Sequence, residues 1–187
     1  GTRTVDKSIA TGLGGPVGGQ GGSVSKTGDG DFTVSGSNGY TGGTTVSRGR
    51  LIVENASALG TGAVTNSGIL ELALTADGAI ANQLTGTGTV YKTGTFTTTL
   101  TAAGSSAGDF FLSGGNLALT GPARLKVSGE YAQSASAGLA VAYGSGAAAI
   151  TAGSVYLDGT LSITGFDPGA APASASALAS QSYAVIR

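Results

Sequence analysis

The chain reads as all-β, a right-handed single-stranded parallel β-helix (a solenoid) of roughly eight coils, on three observations. Glycine supplies 35 of 187 residues and recurs every few positions, at a cost of about 1 kcal/mol each inside a helix. Short runs of alternating or β-branched residues, opened by Gly or Asn, follow one another at near-regular spacing, the pattern of a sandwich, barrel or solenoid. The third observation selects the solenoid: Gly22-Ser-Val-Ser-Lys26-Thr27-Gly28 returns as Gly88-Thr-Val-Tyr-Lys92-Thr93-Gly94. The offset of 66 residues, from 22 to 88, corresponds to three coils of roughly 22, within the range of solenoid repeats. In such a stack each coil supplies two or three strands, inward Val, Leu, Ile and Phe pile on those of neighbouring coils, and Gly or Asn takes the corners.

Taken in order, residues 1–22 form a glycine-rich lead-in, and its densest part, TGLGGPVGGQGG over 11–22, reads as loop. The β-helix occupies 23–166. Strands are expected at 23–26, 32–35, 44–47, 51–54, 69–74, 87–92, 97–101, 110–112, 117–120, 125–128, 139–143, 154–157 and 160–164. Apolar periodicity is densest from 117 to 165, where Leu125, Val127, Leu139, Val141, Val155, Leu157, Leu161 and Ile163 are expected to point inward. Residues 167–180, rich in Ala, Ser and Pro, read as an excursion. Residues 181–187 then begin a further strand that stops part-way, which together with the absence of Met is expected of a piece of a longer precursor.

Composition removes several function classes. Nine basic and ten acidic residues, evenly spread, give a net charge of −1, so the clustered Lys and Arg of a nucleic-acid or membrane-surface patch are missing. A hydrophobic share of 40% is too high for a disordered tract. Absence of Cys fits a cytosolic chain, and equally one that must cross a narrow pore without disulfide loops.

The segment from Lys26 to Val46, KTGDGDFTVSGSNGYTGGTTV, resembles the passenger-associated repeat of bacterial autotransporters. Lys26, Thr27, Gly28, Gly30, Ser35, Gly36, Asn38, Tyr40, Thr41, Gly42, Gly43, Thr44, Thr45 and Val46 fall in step with it, whereas Asp31 and Gly39 stand where Thr is usual. The dense C-terminal stretch, with Gly129-Glu-Tyr131-Ala-Gln133 as a G-x-Y-x-Q element, is similar to the autochaperone region that precedes the membrane barrel in that family. The resemblance implies a scaffold of a Gram-negative virulence-type passenger, carried by type V secretion through the periplasm to the cell surface or beyond. Residues 117–165 would be its autochaperone, with the eight inward residues as folding nucleus. Its partner would be its own C-terminal outer-membrane β-barrel. The chain is expected to be monomeric, with a host-surface ligand if the passenger is an adhesin. It would be a stalk if the precursor carries a subtilisin-like protease upstream.

Candidate chemistry is sparse. With no His or Cys, a zinc site built on those residues and a Ser-His-Asp triad cannot form. Ser23-Val-Ser-Lys26 satisfies S-x-x-K, and Lys26-Thr27-Gly28 and Lys92-Thr93-Gly94 satisfy K-T-G. In a strand, however, Ser23 and Lys26 point to opposite faces, away from the shared turn that this chemistry needs. Asp29 and Asp31 flank Gly30 as a solvated turn rather than a calcium loop, which needs more oxygens. Residues 144–149 only partly imitate a dinucleotide fingerprint and read as loop. Arg48 and Arg50 make a small basic spot, read as solvated edge charges. No catalytic residue, metal or cofactor is assigned.

Overall fold

The computed structural model describes residues 2–5, 9–13, 21–142 and 149–164. Positions 14–20 of the lead-in, residues 144–148, the excursion at 167–180 and the expected strand at 181–187 lie outside the described residues. Within them the chain is all-β and every strand pair is parallel, stacked as a β-solenoid.

Three faces build the stack. The first comprises Thr2–Val5, Ser23–Lys26, Thr44–Val46, Val64–Asn66 and Leu84–Gly86. A three-stranded sheet, Ser105–Ala107, Leu125–Val127 and Ile150–Thr151, lies beyond it, and at the join Leu84 N donates to Ser105 Oγ at 3.3 Å. The second face runs through eight strands: Ile9–Leu13, Asp31–Val34, Arg50–Val53, Ile69–Leu72, Thr89–Lys92, Phe110–Leu112, Glu130–Gln133 and Ser154–Leu157. Eight strands on one face bound about seven turns. The third face, Gly78–Ile80, Thr97–Leu100, Gly115–Leu119, Ala137–Ala142 and Thr160–Thr164, is formed by strands from Gly78 onward among the described residues.

Alternation decides which side chains enter the core. Asp31–Val34, Arg50–Val53 and Ile69–Leu72 each bury their second and fourth residues while the first and third stay partly exposed. In-register pairing then stacks like on like, so that Phe32, Leu51, Leu70, Val90, Phe110 and Tyr131 form one column down the second face. All six are at most 1% exposed, and each aliphatic or Phe side chain so buried stabilises by about 1.5–3 kcal/mol. Phe110 and Tyr131 stack with centroids 5.8 Å apart.

The coil is shorter than the 66-residue repeat suggests. Phe32 to Leu51 and Leu51 to Leu70 are 19 positions each, and Leu70 to Val90 is 20. Three turns on from Lys26, through Val46 and Asn66, the register reaches Gly86 rather than Lys92. Lys26 therefore lies on the first face and Lys92 on the second. The recurring string encodes a strand followed by a corner, a local unit that occurs wherever the chain bends, and not the phase of the coil.

Two further expectations are corrected. Ile9–Leu13, partly inside the stretch read as loop, is a strand paired with Asp31–Val34. Of the eight residues expected inward, Leu125, Val127, Leu139 and Val141 are at most 2% exposed, whereas Leu157, Leu161 and Ile163 are 48%, 45% and 41% exposed. Val155 is only partly buried. All four pair in register with inward residues: Val155 with Tyr131, Leu157 with Gln133, Leu161 with Leu139 and Ile163 with Val141. They occupy the inward columns but stand on the last described rung, where no further coil among the described residues covers them.

Candidate functional site

The repeat is a corner-building device. Ser23–Lys26 buries Val24 and Lys26, and the Lys26 stem runs inward until Nζ reaches the corner, where it donates to Gly28 O and, at 3.2 Å, to Arg48 O on the next coil. Burial pushes the amine below its ordinary range, with the Asp29 and Asp31 charges partly opposing. Ser23 projects to the other side, so the S-x-x-K pair is split as the strand period requires.

At the next corner Asn38 and Tyr40 turn in. Asn38 Nδ2 donates to Ala58 O at 2.7 Å, and Tyr40 Oη lies 2.6 Å from Thr44 Oγ1. Burial pushes the Tyr40 phenol up, with the Thr44 hydroxyl opposing. Thr44 Oγ1 also donates to Leu59 O at 3.3 Å. The Tyr40 ring fits because Gly60 lies beneath it: a Cβ there would come within 2.7 Å of the ring. Gly42 has the same function towards the preceding coil, since its N–H donates to Gly22 O at 2.7 Å and a Cβ would meet that oxygen. Gly43 adopts φ 87°, where an L side chain is strained. Gly36 sits partly exposed at the bend before Asn38, and Val46 returns to the core at 0% exposure.

Charges lie outside these corners and pair along the solenoid axis. Arg50 stands beside Asp31 in the ladder and binds its carboxylate through both Nε and Nη2. It also donates to Glu71 Oε2 at 3.1 Å. That hydrogen bond to Arg50 holds the Asp31 carboxyl below its ordinary range, and Lys26 adds to the effect. Arg48 pairs with Asp29 at 2.8 Å on the exposed surface. Arg48 and Arg50 thus link successive coils through ion pairs with Asp29 and Asp31; Arg48, 68% exposed, is solvated as expected, but the spot is neutralised by these partners. Among the described residues no group of three His, Cys, Asp or Glu could hold a metal ion.

Several corner residues carry no motif signal. Asn82 Nδ2 donates to Gly60 O at 3.0 Å and Gly62 O at 2.7 Å, and Asn66 Nδ2 reaches Thr89 O at 3.0 Å while its Oδ1 accepts from Gly68 N–H at 3.1 Å. The available cue was an Asn ahead of a glycine turn, as in Asn66-Ser-Gly68. On the outer side of the second face, Tyr91 and Phe111 stack with centroids 5.2 Å apart, an adjacency visible only once coil register is known.

No curated protein and no solved structure matches the chain. The family model of the passenger-associated-transport-repeat matches residues 24–53. That span covers about one and a half turns of the solenoid, so it pairs with itself on both faces: Val24 stacks under Thr44 on the first face, and Val34 under Val53 on the second. Its first two corners are the ones built by Lys26 and by Asn38 with Tyr40, and a third, at Gly49, follows Thr44–Val46. The chain therefore carries a passenger-associated-transport-repeat, set within a parallel β-solenoid.

Proposed function

We propose that the chain is the scaffold of an autotransporter passenger, exported to the bacterial cell surface or released from it, and that its C-terminal coils act as autochaperone. The carrying observation is a passenger-associated-transport-repeat that spans about one and a half turns of a parallel solenoid, so that its two halves pair with each other on both faces. Such a stack is quasi-one-dimensional: each coil buries its apolar columns only against its neighbours, so a folded coil templates the next. A segment that folds outside a membrane is removed from the population able to slide back, which biases transit without ATP. Folding free energy of about 5 kcal/mol already suffices, being many times RT. The reading makes the chain a non-catalytic scaffold, with its own C-terminal outer-membrane β-barrel as partner.

Leu125, Val127, Leu139 and Val141, buried in the C-terminal coils, are the proposed nucleus, with Val155, Leu157, Leu161 and Ile163 extending it by one rung. Deleting residues 117–165 from the full precursor is expected to leave barrel insertion intact while the passenger at the surface becomes protease-sensitive. Normal display of a protease-resistant passenger by that variant would refute the autochaperone role. A kinetic comparison adds a second readout: Leu139→Asp should slow refolding more than Val24→Asp, although both sites are at most 2% exposed. Equal slowing would place the nucleus elsewhere.

A further inference from the structure

We propose that Asn38-Gly39 is a self-modifying site: in the unfolded chain it deamidates without an enzyme, and stacking of its coil shuts the reaction off. It is the one Asn-Gly pair in the sequence, since Asn55, Asn66, Asn82 and Asn116 precede Ala, Ser, Gln and Leu. The chemistry is intramolecular. The Gly39 backbone nitrogen, having given its proton to hydroxide, attacks Asn38 Cγ; the N–Cγ bond forms, the Cγ–Nδ2 bond breaks, and Nδ2 takes up a proton from water and leaves as ammonia. Water then opens the cyclic imide at either carbonyl, leaving an aspartyl or isoaspartyl residue at position 38. Glycine has no Cβ to crowd the attacking nitrogen, whereas the Thr usual at this place in the repeat would shield it.

The fold leaves the nucleophile open and withdraws the electrophile. Gly39 is exposed, with nothing within 4 Å of an added Cβ. Asn38 is only 7% exposed, and its carboxamide turns into the corner, where Nδ2, the leaving group, donates to Ala58 O at 2.7 Å. Its backbone N–H donates to Ser57 O at 3.0 Å. Both acceptors belong to the next coil, so ring closure requires Asn38 to break from them and turn outward, a local opening of the stack. The product no longer fits the corner. A carboxylate at position 38 sets a buried, charged acceptor against the Ala58 carbonyl. The isoaspartyl form also routes the main chain through an added methylene, which moves Tyr40 away from Thr44, now 2.6 Å from its phenol oxygen. The pair thus records the time this coil spends unstacked and marks, irreversibly, the chains that wait longest. The inference does not depend on the export reading, because it concerns only the stacked or unstacked state of one coil.

The test is incubation of the full chain at mildly alkaline pH, native and in guanidinium chloride above its unfolding transition, with peptide mass spectrometry that distinguishes isoaspartyl products. In denaturant Asn38 should deamidate faster than Asn55, Asn66, Asn82 or Asn116, and in the native chain at least about 10-fold more slowly than in denaturant. Gly39→Thr should suppress the reaction in denaturant. Chain aged in denaturant and then refolded should unfold at a lower denaturant midpoint than fresh chain, as should Asn38→Asp. Equal rates in the native and denatured chain would overturn the protection, and no preference for Asn38 in denaturant would overturn the site itself. An Asn38→Asp variant with the midpoint of the parent would overturn the claim that the product no longer fits. The rates in the unmodified chain decide the proposal even where Asn38→Asp does not fold.

Discussion

Lys26 and Lys92 make equivalent contacts on different faces of the solenoid: each buries its stem in the core and donates from Nζ to a carbonyl 22 positions on, Arg48 O at 3.2 Å and Gly114 O at 3.1 Å. Each also caps its own corner, at Gly28 O and Thr93 O. The ammonium group thus ties consecutive coils together where their backbones turn and the strand ladder is interrupted.

Lys92→Met keeps the stem and removes the donors, so the Thr93 and Gly114 carbonyls lose their partner, and urea unfolding should show a loss of about 1–3 kcal/mol. Lys92→Ala should cost more by adding a cavity. Burial pushes the Lys92 amine below its ordinary 10.5, opposed in part by Asp77. The folded chain then binds fewer protons than the unfolded one as pH approaches 10.5, and this residue's contribution to stability rises with pH. In Lys92→Met that part of the slope should disappear.

Tyr131 presents the opposite case. It is fully buried, and its hydroxyl has no hydrogen-bond partner, so Tyr131→Phe is expected to stabilise the fold by about 1 kcal/mol in thermal or urea unfolding at pH 7. Burial also pushes the phenol far above its ordinary value of 10.0. Above pH 10 the unfolded chain ionises while the folded one keeps its proton, so stability falls as pH rises. Tyr131→Phe should remove that alkaline loss.

Glycines divide into those the stack requires and those it tolerates. Gly86 has φ 115°, and a Cβ there would press into Asn66 of the preceding coil. Gly86→Ala should therefore cost about 3 kcal/mol or more. Gly39 is exposed, with nothing within 4 Å of an added Cβ, which suits the Thr usual at that place in the repeat. Gly39→Thr is expected to be neutral or to stabilise by up to about 1 kcal/mol. Circular dichroism melting of the two variants side by side checks both.

The Asp31–Arg50 pair sets an acid dependence. Its side chains are 49% and 40% exposed, so solvent screening limits the pair to about 0.2–1 kcal/mol. Because Arg50 holds the Asp31 carboxyl below its ordinary 3.8, that contribution is complete above pH 3.8 and is lost as pH falls through the lowered value. Asp31→Asn should be less stable at pH 7 and converge on the parent chain at low pH.

Strand alternation was legible along most of the chain. Phe110–Leu112, Ser154–Leu157 and Thr160–Thr164 fall where apolar alternation and glycine punctuation put them. Val64–Asn66, Gly78–Ile80, Leu84–Gly86, Ser105–Ala107 and Ile150–Thr151 were not read as strands. Each has two or three residues with at most two inward side chains, too few to show a period, and is extended because the coils on either side offer a ladder in register. The corner motif was legible because Lys, Asn, Tyr and Gly each meet a local demand within a few residues. Its place in the coil was not: Lys26 and Lys92 share a string and differ in face.

Local stereochemistry accordingly defined strands, corners and the one-sided burial of each run, all properties of period two and of glycine's freedom at φ above zero. Coil length, the pairing of Arg50 with both Asp31 and Glu71, and the exposure of Leu157, Leu161 and Ile163 were decided by stacking alone. Each depends on which residue lies one turn above or below, a relation between positions about 20 apart that no short window of sequence contains.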